Sequence, residues 1–146
     1  MRTIFAFLLL FPFSYFLVAQ GENCETAVHI IDNGEYYSDG PSTGNGCYNC
    51  EGSTNADWFY FVAPSDGIIS INSCDFFGAD TRLWIYDGNC SDLHLIDSDS
   101  NSCGEFYGNA AALYEVIVDS GKSYYIEWDD FSDTSGFNFE FEFESL

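Results

Sequence analysis

Carboxylates are the functional group this chain has most of, and three loop clusters concentrate them: Asp75 with Asp80, Asp97 with Asp99, and Asp129 and Asp130 with Asp133. Calcium takes 6 to 8 oxygens, and carboxylates from several loops can supply them. Asp97-x-Asp99 followed by Asn101 resembles the alternating oxygens of a calcium loop, although the glycine and glutamate that complete an EF-hand are missing. The expected metal set is Asp80, Asp97 and Asp99, provided their loops converge. The competing role for the same residues is to cap turns by accepting backbone N–H bonds, and for Asp80, ahead of a strand, that role is favoured. Paired carboxylates also serve glycoside hydrolases. His29 and His94 lack a partner at triad or metal spacing, and neither a phosphate loop nor a nucleophile motif is present. The expectation is therefore a protein without catalytic activity, with a small secreted hydrolase using acidic residues as the alternative. Aromatic side chains give the strongest binding signal: Phe76, Phe77, Phe106, Tyr107 and Phe131, with Tyr36, Tyr37 and Tyr48, fall near turns. Exposed rings stack on sugars or anchor protein interfaces; their alternative use is to lid the open ends of a sandwich.

Charge narrows the partners. The sequence has 24 acidic and 3 basic side chains in 146 residues, a net charge of −21. Phosphate backbones and anionic lipid would meet almost no counter-charge, so nucleic acid and membrane surfaces are excluded as partners. Residues 1–19 carry a single charge, Arg2, followed by an apolar run that ends in Ala19 before Gln20. That pattern describes a secretory signal peptide, with cleavage after Ala19 leaving one domain over residues 20–146. The expected location is extracellular, at the cell surface or in a periplasm. A fraction of 19% aromatic residues is far too high for a disordered chain.

The cysteines agree with export. Cys24, Cys47, Cys50, Cys74, Cys90 and Cys103 all follow the leader, and an even number in an oxidising compartment reads as disulfides. Cys47-Tyr-Asn-Cys50 has redox spacing, but no βαβ pattern accompanies it. Six cysteines allow 15 connectivities, and spacing alone does not choose among them.

The elements that must position these groups are strands. Phe137, Phe139, Phe141 and Phe143 alternate with Asn138, Glu140, Glu142 and Glu144, which in a strand puts every ring on one face. Residues 57–62 are aromatic on both faces and are expected to be central. Further strands are expected at 27–31, 35–38, 67–73, 82–86, 93–96, 112–118 and 123–128, separated by turn residues. Eight or nine short strands predict an all-β fold, an antiparallel β-sandwich stabilised by disulfides. The longest irregular stretch, residues 39–55, is long enough to require tying down or a function.

The segments ENCETA, NADWFYFVAPSDGIISINSC, ADTRLWIYDGNCSDLHLIDSDSNSCG, GKSYYIEWDD and GFNFEFEF resemble, in order and spacing, the bacterial pre-peptidase C-terminal domain. The resemblance covers residues 22–144. It implies a jelly-roll-like sandwich that serves secreted enzymes without being catalytic itself, with some relatives binding calcium or collagen. The acidic loop Ile96-Asp97-Ser98-Asp99 is shifted from the family's spacing, and no enzyme is attached in this sequence. The implied partners are an extracellular protein, a polysaccharide or a co-secreted enzyme; a structural or adhesive surface module is a further alternative. The resemblance also places cysteines after the RLWIY strand and after the acidic loop. With the 93–96 strand running back along RLWIY, it pairs Cys90 with Cys103. Cys24 is then expected to join Cys47 or Cys50, leaving the other for Cys74.

Overall fold

The computed structural model describes residues 21–41, 48, 52–74, 79–104 and 109–146. Nine strands follow in chain order: β1 (Val28–His29), β2 (Gly34–Ser38), β3 (Ala56–Val62), β4 (Gly67–Asn72), β5 (Arg82–Asn89), β6 (Asp92–Asp99), β7 (Ala112–Val118), β8 (Ser123–Asp129) and β9 (Phe137–Ser145). They form a five-stranded sheet of order β1-β3-β8-β5-β6 and a four-stranded sheet of order β2-β9-β4-β7. The pairs β2–β9, β3–β8, β4–β7 and β5–β6 are nested like the two arms of one long hairpin folded over. That is a jelly roll, with β5–β6 as the tip. All pairs are antiparallel except β1, which runs parallel to β3 before the chain crosses to the other sheet.

Alternation explains the layers. In β9, Phe137, Phe139 and Phe141 are buried and Phe143 packs on the core, while Asn138, Glu140 and Glu142 face outward. These rings meet Phe59, Phe61 and Trp128 from the facing sheet; Phe59–Phe139 and Trp128–Phe137 pack edge to face at 4.8 and 5.1 Å. β3 is aromatic on both faces because both are covered. Phe59 and Phe61 enter the main core, whereas Trp58 points outward into a second cluster with Ala56, Trp84, Tyr86 and Leu93. The segment from Gly21 to Ala27 lies over that cluster. The Gly21 carbonyl accepts from Trp58 N at 2.6 Å, and Gly21 has φ of +64°, where a Cβ would run into the Trp58 carbonyl.

The disulfides correct the expected pairing. Cys24 joins Cys90 and Cys74 joins Cys103, with Cα separations of 5.5 and 5.2 Å. Cys90 cannot reach Cys103, because Cys90 sits at the β5–β6 turn and Cys103 lies beyond the far end of eight-residue β6, a span of about 26 Å. Cys74 and Cys103 instead clamp the base of the β5–β6 hairpin, and Cys24 ties the start of the domain to its tip. This also removes Cys24 and Cys74 as partners for Cys47 or Cys50, which lie outside the described residues.

The strand directions sort the connections by end. At one end the links between strands are residues 30–33, 63–66, 90–91 and 119–122; at the other they are 39–55, 73–81, 100–111 and 130–136. Of the candidates named from the sequence, Asp80, Asp130, Phe131 and Asp133 lie in the described parts of the long connections, and Asp99 and Asp129 close the strands that lead into them; Tyr36 turns to the opposite end, its hydroxyl donating to the Asp32 carbonyl at 2.7 Å. No helix among the described residues is long and apolar enough to cross a membrane.

Candidate functional site

The base of the long-loop end is a buried ion pair. Arg82 opens β5 and Asp129 closes β8, directly opposite each other in register. Arg82 Nε donates to Asp129 Oδ2 at 2.6 Å, Trp84 Nε1 donates to the same oxygen at 2.7 Å, and an Arg82 Nη2 donates to Ser53 Oγ at 3.0 Å. Phe131 N donates to Asp129 Oδ1 at 3.0 Å, which seats the Phe131 ring 4.3 Å from the guanidinium carbon; Trp84 lies 5.2 Å away on the same cation. With side-chain exposures of 10% and 0%, the pair depends on its own geometry rather than on water. Asp130 continues the anchorage. It accepts from Thr54 N (2.8 Å), Thr54 Oγ1 (3.1 Å), Asn55 N (3.2 Å) and Asn55 Nδ2 (2.7 Å), bolting the end of the 39–55 loop to the 130–136 loop.

Two more carboxylates lie beneath this end, Glu127 and Asp57, neither of them in the acidic loop clusters. Glu127 stands between Trp58 and Trp84 in the cross-strand register and is fully buried. It accepts from the Tyr86 hydroxyl at 2.6 Å and from Tyr48 N at 3.0 Å, while the Tyr48 hydroxyl donates to the Leu93 carbonyl at 3.2 Å. Burial pushes its carboxyl up to about 7, against the lowering effect of those two donors. Asp57 reaches across to the other sheet, where it accepts from the Ser38 hydroxyl and from Gly40 N; burial pushes it up to about 6. The signal for Glu127 was a lone charge inside the aromatic run SYYIEW. Such a residue either faces water or needs donors, and the two tryptophans opposite it close off the water.

The residues expected to bind metal share the long-loop end without forming a ligand set. Asp99 is used by its own turn: Oδ2 accepts from Ser102 N (3.0 Å) and Ala112 N (2.9 Å), and Oδ1 from Ser102 Oγ (2.5 Å). Asp97 accepts from Ser98 N at 2.9 Å. Among the described residues, no group of three His, Cys, Asp or Glu side chains is arranged to hold a metal ion. Of the expected binding aromatics, Phe131 is 56% exposed, while Phe76, Phe77, Phe106 and Tyr107 lie outside the described residues. Beside Arg82 a recess of about 290 Å³ opens, lined by Arg82, Trp84, Ser98, Asp99 and Ser100. His29 stacks on Tyr60 at 4.4 Å, and His94 sits between Asp87 (3.3 Å) and Asp92 (3.6 Å). Neither histidine touches the recess.

No protein-family profile matches the chain, and no curated protein matches it.

Proposed function

We propose that this chain is an exported, non-catalytic binding module that holds an extracellular polymer, protein or polysaccharide, at its long-loop end. The observation that supports this most is Phe131, a half-exposed ring held over the Arg82 guanidinium beside an open recess. A ring fixed before the ligand arrives loses little freedom on binding. The recess adds the hydroxyls of Ser98 and Ser100, which suit the polar edge of a sugar or a peptide. The loops that carry Phe76, Phe77, Phe106 and Tyr107 spring from the same end, so the reading extends to them. The leader-like residues 1–19, the two disulfides and the resemblance to the pre-peptidase C-terminal domain support export and an accessory role beside a secreted enzyme.

Affinity electrophoresis through gels containing neutral polysaccharides, together with binding to immobilised extracellular proteins, tests the proposal. Retention by one polymer that Phe131→Ala abolishes and Phe131→Tyr preserves is the expected result. Retention unaffected by Phe131→Ala, or breakdown of the polymer by the purified protein, would overturn it, the latter in favour of the hydrolase.

A further inference from the structure

A second candidate site lies on the outer face of the five-stranded sheet, away from the recess. His29, Tyr60, Tyr125 and Tyr86 stand opposite one another on β1, β3, β8 and β5, so the pleat places their side chains in one row across four strands. Tyr60 and Tyr125 are stacked at 6.2 Å, and His29 continues the stack beyond Tyr60. Tyr86 is fully buried, whereas His29 is exposed and Tyr60 and Tyr125 are half-buried. A groove of about 600 Å³ runs along the half-buried part, lined by Tyr60, Tyr125, Glu25, Thr26 and the Cys24–Cys90 bridge. Its wall is stiff: the bridge joins the Cys24–Thr26 turn to the tip of the β5–β6 hairpin, and a capping box between Asn23 and Thr26 closes that turn.

We propose that this groove binds a lysine or arginine side chain presented by a basic segment of a partner protein. Aromatic rings attract cations through their negative faces. Glu25 adds a carboxylate on the rim, and a net charge of −21 raises the local concentration of any cation. Beyond the leader the sequence has two basic residues, and both are engaged: Arg82 pairs with Asp129, and Lys122 with Asp119 at 2.6 Å. An anionic ligand therefore meets no counter-charge at the groove. A neutral glycan could stack on the tyrosines but would gain nothing from Glu25 or from the field. The volume suits one long side chain with a short stretch of its backbone.

The test is titration of the folded protein with hexalysine, a Gly–Ser peptide of equal length and cellohexaose. Heat and the ring resonances of Tyr60 and Tyr125 are followed at two salt concentrations. Hexalysine should bind with an affinity that falls as salt rises, and should shift both tyrosines. Tyr125→Ala should weaken it about tenfold, Glu25→Gln about threefold, and Tyr125→Phe should restore wild-type affinity. Because Tyr125→Ala removes no charge, diffuse attraction to an acidic protein predicts no change there, and that result would overturn the proposal. Binding of cellohexaose instead of hexalysine at these tyrosines would also overturn it. Loss of the groove's binding with Phe131-dependent retention intact would leave the long-loop reading standing.

Discussion

The two ends of the sandwich solve the same problem in different ways. At the short-loop end, connections of two to four residues close the strands with little more than turn chemistry, such as Gly121 N donating to Ala63 O at 2.8 Å and Ser120 N to Asp66 Oδ1 at 2.8 Å. At the long-loop end, connections of seven to seventeen residues rest on a buried base of Arg82, Asp129, Glu127 and Asp57, and on the Cys74–Cys103 clamp. Long loops cost chain entropy and lack a ladder of their own. A buried polar base of this kind is expensive to build, and it is concentrated where the loops are long. The contrast points to an end that closes the fold and an end that presents side chains from a rigid platform.

Opening the disulfides should have the largest effect. In the chain-entropy picture, Cys24–Cys90, with a separation of 66, contributes roughly 4.3 kcal/mol and Cys74–Cys103, with a separation of 29, roughly 3.6 kcal/mol. Urea melts of the two double-serine variants measure this. The Cys74→Ser, Cys103→Ser variant should also lose polymer retention at the long-loop end.

Asp129→Ala should cost about 3 kcal/mol, because it strands a buried guanidinium and frees the indole N–H of Trp84. Ser120→Ala at the opposite end should stay within about 0.5 kcal/mol. Equal losses at the two positions would remove the contrast.

The pH dependence follows from Glu127 and Asp57. Both carboxyls are raised in the folded protein, to about 7 and about 6. The folded state then holds protons that the unfolded state has released, so this stability is full below the unfolded pKa and is lost as pH rises through the folded value. Between about pH 4.5 and 7, stability should fall by something on the order of 2 kcal/mol. Glu127→Gln should flatten most of that slope, and denaturant melts across this range would show it. An unchanged slope would mean that Glu127 is ionised in its buried setting.

The smallest expected effect is that of calcium. With no ligand set preformed among the described residues, excess calcium against chelator should move the melting temperature little, by less than the Asp129→Ala change does. A large rise would bring Asp80, Asp97 and Asp99 back as ligands.

The strands were legible from alternation where one face is covered, as the four phenylalanines of β9 show most clearly, and from continuous aromatic or apolar runs bounded by turn residues where both faces are covered, as in β3 and β5. That the connections carrying Asp80 and leaving Asp99 spring from one end was legible too, since antiparallel strands alternate their connections. The cysteine pairing was not. It depends on how far β6 carries the chain before Cys103, and residue spacing does not contain that length. The ion pair was hidden for a similar reason: Arg82 and Asp129 are 47 positions apart and meet only through the β5–β8 register. Glu127 read as one more polar residue in an aromatic run, because nothing local reveals that the 21–27 segment and Tyr48 cover that face.

The claim that one end closes the fold while the other binds is tested most directly by replacing Phe77, Phe106 and Phe131 together with alanine. Melting temperature and polymer retention are then measured on the same sample. The account predicts a folded protein, with melting close to wild type and retention lost. A variant that folds and is retained like wild type would contradict it.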